Sequence, residues 1–341
     1  MSARPLAILA IAAIILSAVV FFGNRRSEQA NATDALFAPQ LAHQLDAVST
    51  VRIICAGETS LASLTRTEGA WVVDESDGYP ANTNMIRSAL TLLSRAAVIE
   101  AKTSNPAELN RLGLGELANA EARGIGIEFL PESLGLPGII LGDSTGSSYR
   151  YARLRDSSQS WLINADPEVP ADTTQWLQTE ILSIEGTRVE RILIEHTDGE
   201  TLDIFKSAPD QANYSVADIP DGRELQYPGV ANVIGNVLRN LRLEDVAAAG
   251  EGLGTPEMRT RFDTFDGLVI SAEGYEIDGA GWLVFSADVD TQFSSPDEAT
   301  TAEAQAIDER VTGWRYRVPE YQYGQIGRRI EDLLSAEESE D

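Results

Sequence analysis

The string Gly142-Asp143-Ser144-Thr145-Gly146 fits G-x-S-x-G, the pattern in which a strand-to-helix turn presents a serine for acyl transfer. Ile139-Ile140-Leu141 supplies a strand before it, but the alternating, aromatic Tyr149-Arg150-Tyr151-Ala152-Arg153-Leu154 after it reads as a second strand. Gly, Asp, Ser and Thr are ordinary turn residues, so a hairpin turn is the expectation here. A nucleophilic serine also needs a base. The chain has only His43 and His196, and the one pairing on which serine hydrolysis can draw is Ser144 with His196. No catalytic residue is therefore assigned; Ser144 and His196 are the alternative reading.

Other groups carry less. Cys55 is the sole cysteine, which excludes an internal disulfide and a cysteine metal cluster. In Val51-Arg52-Ile53-Ile54-Cys55 it reads as a small apolar strand residue. Gly124-x-Gly126 lacks the third glycine of a dinucleotide loop. Asp74-Glu75-Ser76-Asp77 and Asp288-Val289-Asp290 offer oxygen ligands, yet no EF-hand spacing, so no metal or cofactor site is assigned. Trp71, Trp161, Trp282 and Trp314 sit in strand-like surroundings and read as core or sheet-face residues.

The 341 residues are 43% apolar, enough for real cores. Lys and Arg total 26 against 53 Asp and Glu, so 26 − 53 = −27. Such a surface repels phosphate backbones, which excludes nucleic acid as a partner.

Residues Leu6 to Phe22 run LAILAIAAIILSAVVFF without a charge, between Arg4-Pro5 and Gly23-Asn24-Arg25-Arg26. That length is at the short end of what spans a bilayer. A cleaved signal needs small residues soon after the apolar run; Ala30-Asn31-Ala32 lies beyond two arginines, which favours an uncleaved anchor. The expected organisation is a leader at 1–5, an anchor at 6–23, a stalk at 24–40, modules at 41–183 and 184–334, and an acidic tail at 335–341. The expected location is the inner (cytoplasmic) membrane, single-pass, with the bulk in the periplasm or outside.

The two modules come from an internal repeat. An ungapped shift of 148 residues aligns Tyr79-Pro80 with Tyr227-Pro228, Asn84 with Asn232, Ile86 with Ile234, Leu90 with Leu238, Leu93 with Leu241 and Val98 with Val246. Positions 86, 90 and 93 have the spacing of one buried helix face. Arg52-Ile53 answers Arg191-Ile192 at a slightly different offset. Each half reads as strands, a helix, more strands and a closing helix, at Thr174–Leu182 and Tyr321–Leu334. Asp290–Glu303 reads as a mobile insertion. Strands in runs predict α+β modules of mainly antiparallel sheet with packed helices.

On Leu64-Thr65-Arg66, Gly69-Ala70-Trp71-Val72-Val73, Tyr79-Pro80-Ala81, Lys102-Thr103, Arg111-Leu112-Gly113-Leu114, Leu141-Gly142-Asp143, Tyr151-Ala152-Arg153 and Trp161-Leu162-Ile163, the chain resembles the bacterial domain of unknown function 4340 family. The likeness covers roughly residues 45–335. Similar proteins stand beside components of gliding-motility-type ABC transporters. The resemblance implies a non-enzymatic extracytoplasmic accessory or binding subunit, with a protein partner in the membrane or envelope, and supplies no catalytic residues. A structural spacer without ligand is the further alternative.

Overall fold

A computed structural model describes residues 35–146, 148–250, 253–290 and 297–336. The expected anchor at 6–23 lies outside these residues. No described helix is long and apolar enough to cross a membrane. The chain divides into two units after Leu177, rather than after Ser183.

The first unit opens with helix α1 (Pro39–Gln44), then β1 (Thr50–Cys55), β2 (Thr59–Thr67), β3 (Ala70–Val73) and β4 (Tyr79–Pro80). Helix α2 (Thr83–Ser94) comes next, then β5 (Val98–Ala101), α3 (Pro106–Leu109), β6 (Ile125–Leu130), β7 (Ile139–Ser144), β8 (Arg150–Leu154) and β9 (Ser160–Ile163). They form an antiparallel sheet in the order β4-β3-β2-β1-β6-β7-β8-β9-β5. In α2 the Asn82 side chain accepts from the Met85 amide at 3.1 Å, capping the first turn. Ile86, Leu90 and Leu93 are buried on one face, as their spacing predicts.

The second unit holds β10 (Glu180–Leu182), β11 (Val189–His196), β12 (Thr201–Phe205), β13 (Ser215–Val216), helix α4 (Asn232–Gly235), β14 (Leu241–Arg242) and β15 (Asp245–Ala248). Then come β16 (Met258–Thr264), β17 (Leu268–Ile277), β18 (Ala280–Val289), α5 (Glu298–Val311), β19 (Trp314–Arg317) and α6 (Glu320–Ile326). Its main sheet runs β13-β12-β11-β16-β17-β18-β19-β15, with β10 paired to β14 apart from it. Leaving out β4, this is strand for strand the order of the first sheet. The fold is therefore α+β, built of two copies of one antiparallel sheet. The aligned pairs Ile86 and Ile234, Leu90 and Leu238, Leu93 and Leu241, and Val98 and Val246 are all buried.

Several local expectations fail for identifiable reasons. The second copy of α2 is a single turn, α4, followed by a 3-10 turn at Val237–Asn240. Gly235 is the cause: a Cβ there would meet the Tyr214 ring at 2.3 Å, so the tyrosine occupies the helix flank, and glycine is a poor helix former. Tyr79-Pro80 is a short strand ahead of the helix, and buried Tyr79 contrasts with exposed Tyr227.

Thr174–Leu182 is not a helix but a 3-10 turn (Thr173–Trp176) followed by β10. Its buried residues come as neighbours, Trp176 with Leu177 and Ile181 with Leu182, a spacing that no single helix face can bury. Tyr321–Leu334 breaks at Gly327, which closes against Met258, so α6 ends at Ile326 and a 3-10 turn covers Ile330–Leu333.

Part of the expected insertion is helix α5, whose Asp297 cap accepts from the Thr300 amide at 2.7 Å. Ala304, Ile307 and Val311 form its buried face, a stripe too sparse among acids to be seen in the sequence. The end of the expected stalk is folded too: the Phe37 amide donates to Ala96 O at 2.7 Å, and Phe37 and Ala38 are buried.

Candidate functional site

In the first unit β7 runs as far as Ser144 and turns back into β8, so the G-x-S-x-G string is the end of a hairpin strand and its turn. The Thr145 amide and hydroxyl both donate to Tyr149 O, at 2.9 and 3.0 Å. Ser144 Oγ donates to Asp166 Oδ2 at 2.5 Å, and Arg150 Nη1 lies 3.3 Å from the other oxygen of that carboxylate. Asp166 thus accepts from the serine while paired to Arg150.

His196 ends β11 in the second unit, its Nε2 3.4 Å from Arg328 O. Nearby, Arg329 joins Asp198 and Glu200. His43 is exposed on α1. Neither unit thus joins Ser144 or His196 to the other member of a nucleophile–base pair. Ser144 Oγ also accepts from the Gly146 amide at 3.2 Å; since both of its hydrogen bonds lie at the surface, Ser144→Ala is expected to cost about 1 kcal/mol in thermal or denaturant unfolding.

The acidic strings also find structural partners. Thr65 Oγ1 donates to Asp74 at 2.8 Å, and Glu75 accepts from the Ser63 amide at 2.7 Å. Among the described residues no three His, Cys, Asp or Glu side chains are grouped to hold a metal ion. Cys55 ends β1, as expected of a strand residue, and is half-buried. Trp71, Trp161, Trp282 and Trp314 all lie in strands, with Arg66 stacked 4.9 Å from Trp71 and Arg315 5.2 Å from Trp282.

The most site-like place in the second unit was not visible as a motif. A cavity of about 360 Å³ lies where β12 and β16 end and β11 and β17 begin. Ile192, Ile194, Ile204, Phe262 and Ile270 bury one face of this sheet. The other face presents a cross-strand row, Phe205, Arg191, Asp263 and Val269, which lines the cavity together with Glu190, Lys206 and Asp290. The register between β11 and β16 slips between Val189 and Arg191, a bulge that inserts Glu190 as an extra residue.

Arg191 is committed to Asp203, with Nε and Nη2 donating to its two oxygens at 2.8 and 2.7 Å. Arg261 donates to Asp263 at 2.7 Å and approaches Asp290 at 3.4 Å. The Glu190 carboxylate makes neither hydrogen bond nor salt bridge with the described residues. Lys206, buried, holds its ammonium 4.5 Å from the Tyr214 ring.

Burial raises the Asp263 carboxyl above its usual range, and the Asp290 charge adds to this against the pull of Arg261. Burial also raises Glu190, with the Asp263 charge as the second cause. Between the ordinary and the raised value the native state binds more protons than the unfolded one, so this contribution to stability grows as pH falls through that window. Asp263→Asn is accordingly expected to raise Tm near pH 7, and the gain should vanish as pH falls to about 4, where the unfolded carboxyl also protonates. Melting both proteins across that range checks it.

No curated protein and no solved structure matches the chain. A family model, "Domain of unknown function (DUF4340)", matches residues 71–258, from β3 of the first unit to the start of β16 in the second. The match therefore runs across parts of both copies of the sheet and covers more than half of the sequence, and the chain belongs to this family.

Proposed function

We propose that the protein is held in the cytoplasmic membrane by residues 6–23, exposes its two sheet units on the outer side, and serves as a non-enzymatic binding subunit of an envelope or ABC-transporter-type complex. The observation that carries the anchor is the uncharged run Leu6 to Phe22 between arginines. The chain beyond Arg26 holds 23 basic and 53 acidic residues, so 23 − 53 = −30, a charge that keeps an exported body soluble. Supporting a binding rather than a catalytic role, the Ser144 hydroxyl is bonded to Asp166 and the cavity of the second unit is lined by ion pairs and carboxylates.

Protease added outside spheroplasts should degrade the body of the full chain while the chain sediments with membranes and resists carbonate extraction. Protection from protease, or release by carbonate, would contradict the placement. For the role, purification in mild detergent at native abundance should bring down a membrane complex; recovery of the protein alone would contradict it. A fluorophosphonate probe should leave the protein unlabelled, whereas labelling lost in Ser144→Ala would establish the hydrolase alternative.

A further inference from the structure

The two sheets share one strand order, so each position in the second has a counterpart in the first. In the first unit the row at the corresponding place begins Ser63, Arg52, Glu128. The register of the next strands continues it through Gly138 to Arg155. Arg52 lies 3.3 Å from Glu128, and Arg155 also bonds Glu128 while reaching Glu58 with its other amino group. The Arg155 stem crosses Gly138 closely: a Cβ on that glycine would lie 3.2 Å from Arg155 Cβ and 3.3 Å from its Cδ. One carboxylate is thus clasped between two guanidiniums, and the sheet face is filled at that point.

The second unit keeps the arginine and the acid of this row, as Arg191 and Asp263, and changes everything around them. Arg191 is turned to Asp203. Gly138 is replaced by Val269, which closes the path of an arginine stem, and Arg155 is replaced by Asp288, with Asp290 two residues on. Ser63 is replaced by Phe205, 37% exposed, and the bulge that the first unit lacks at this point inserts Glu190 beside Arg191. The guanidinium that the first unit supplies from its own chain has been lost, while the carboxylate it served remains, with more acid beside it. The cavity lies at that place.

We propose that this cavity takes a guanidinium from outside, the side chain of an arginine in a basic segment of the partner protein, held by Glu190 and Asp263 with its flat face against Phe205. Carboxylates receive guanidinium through paired hydrogen bonds, and an aromatic face attracts the same cation. Arg261 already bonds the Asp263 carboxylate, so the incoming group completes a clasp of two guanidiniums on one acid, as Arg52 and Arg155 do on Glu128. A basic segment also complements a surface of net charge −27. The inference deepens the binding role proposed above and rests on it for the partner, but not for the chemistry of the cavity.

The test is calorimetric titration of the purified full chain in detergent with the peptide acetyl-Gly-Arg-Gly-Arg-Gly-amide and its citrulline and lysine counterparts. Salt of about 0.15 M screens distant charge. The arginine peptide should bind, the lysine peptide more weakly, and the citrulline peptide, equal in shape but uncharged, not at all. The double variant Glu190→Gln/Asp263→Asn should weaken arginine-peptide binding by about tenfold or more, the scale of one lost charge-assisted hydrogen bond. Glu276→Gln/Glu320→Gln removes the same charge elsewhere in the unit and should leave it unchanged. No binding, or equal weakening by both double variants, would overturn the proposal. Peptide binding by a chain that purifies without a membrane complex would leave the cavity chemistry standing and refute the accessory role.

Discussion

Replacing Arg153 by methionine is expected to destabilise the first unit by about 3 kcal/mol or more, because it strips partners from several carbonyls at once. Arg153 stands on β8 with 1% of its side chain exposed. Its Nε donates to Leu114 O at 2.8 Å, and Nη1 donates to Arg155 O at 2.8 Å and Ser157 O at 3.2 Å. Nη2 donates to Glu116 at 2.8 Å, whose side chain is 65% exposed, so that carboxylate rehydrates when the arginine goes. The carbonyls near the core cannot all do so. For a unit of this size the loss corresponds to a Tm lowered by roughly 6–12 °C, read by calorimetry. Arg153→Lys should recover little of it, since one ammonium cannot reproduce the planar fork that reaches both Leu114 O and Ser157 O.

The second large effect concerns the glycine of the serine-like motif. A Cβ at Gly142 would lie 2.2 Å from Leu112 O and 2.9 Å from two carbons of Leu114. The obstacle is backbone, so relief requires the Leu112 segment to move away from β7. Overpacking of this kind costs typically about 1–3 kcal/mol, and Gly142→Ala should reach the upper part of that range. Gly146, by contrast, has a positive φ of 78° and nothing within 4 Å of its missing Cβ. Gly146→Ala should therefore cost only the left-handed strain, about 1–2 kcal/mol. Denaturant unfolding of the two variants separates the cases. A larger loss at Gly146 than at Gly142 would contradict this account of why the motif has its glycines.

These two residues show how much of the molecule is legible in its sequence. Tyr151-Ala152-Arg153 and Leu141-Gly142-Asp143 carry the family resemblance, yet sequence cannot say that both are structural. A buried arginine looks like any exposed one until Leu114 and Glu116, from a distant segment, are brought to it beside the carbonyls of its own turn, Arg155 and Ser157. The repeat is legible because Ile86, Leu90 and Leu93 and their mates Ile234, Leu238 and Leu241 are buried in both copies. The helix lengths are not, because Gly235 and Tyr214 meet only in three dimensions.

β16 escapes the sequence reading although Met258, Thr260, Phe262 and Thr264 alternate buried with outward Arg259, Arg261 and Asp263. Its inward residues include two threonines, which hide the apolar period. The cavity has one readable trace, the match of Arg52-Ile53 with Arg191-Ile192. Its meaning appears only when register places Glu128 and Asp263 opposite those arginines, and Arg155 and Asp288 at the far ends of the two rows.

The most direct measurement of a membrane-held binding protein with an arginine-receiving cavity is site-specific photo-crosslinking from position 205 in intact membranes. With a photoreactive residue in place of Phe205, adducts should form with a component of a membrane complex, and the linked peptide should contain an arginine. The same adduct should be lost when Glu190→Gln/Asp263→Asn is added. An adduct that survives those substitutions, or no adduct at position 205 where one forms from exposed Leu92, would contradict the account.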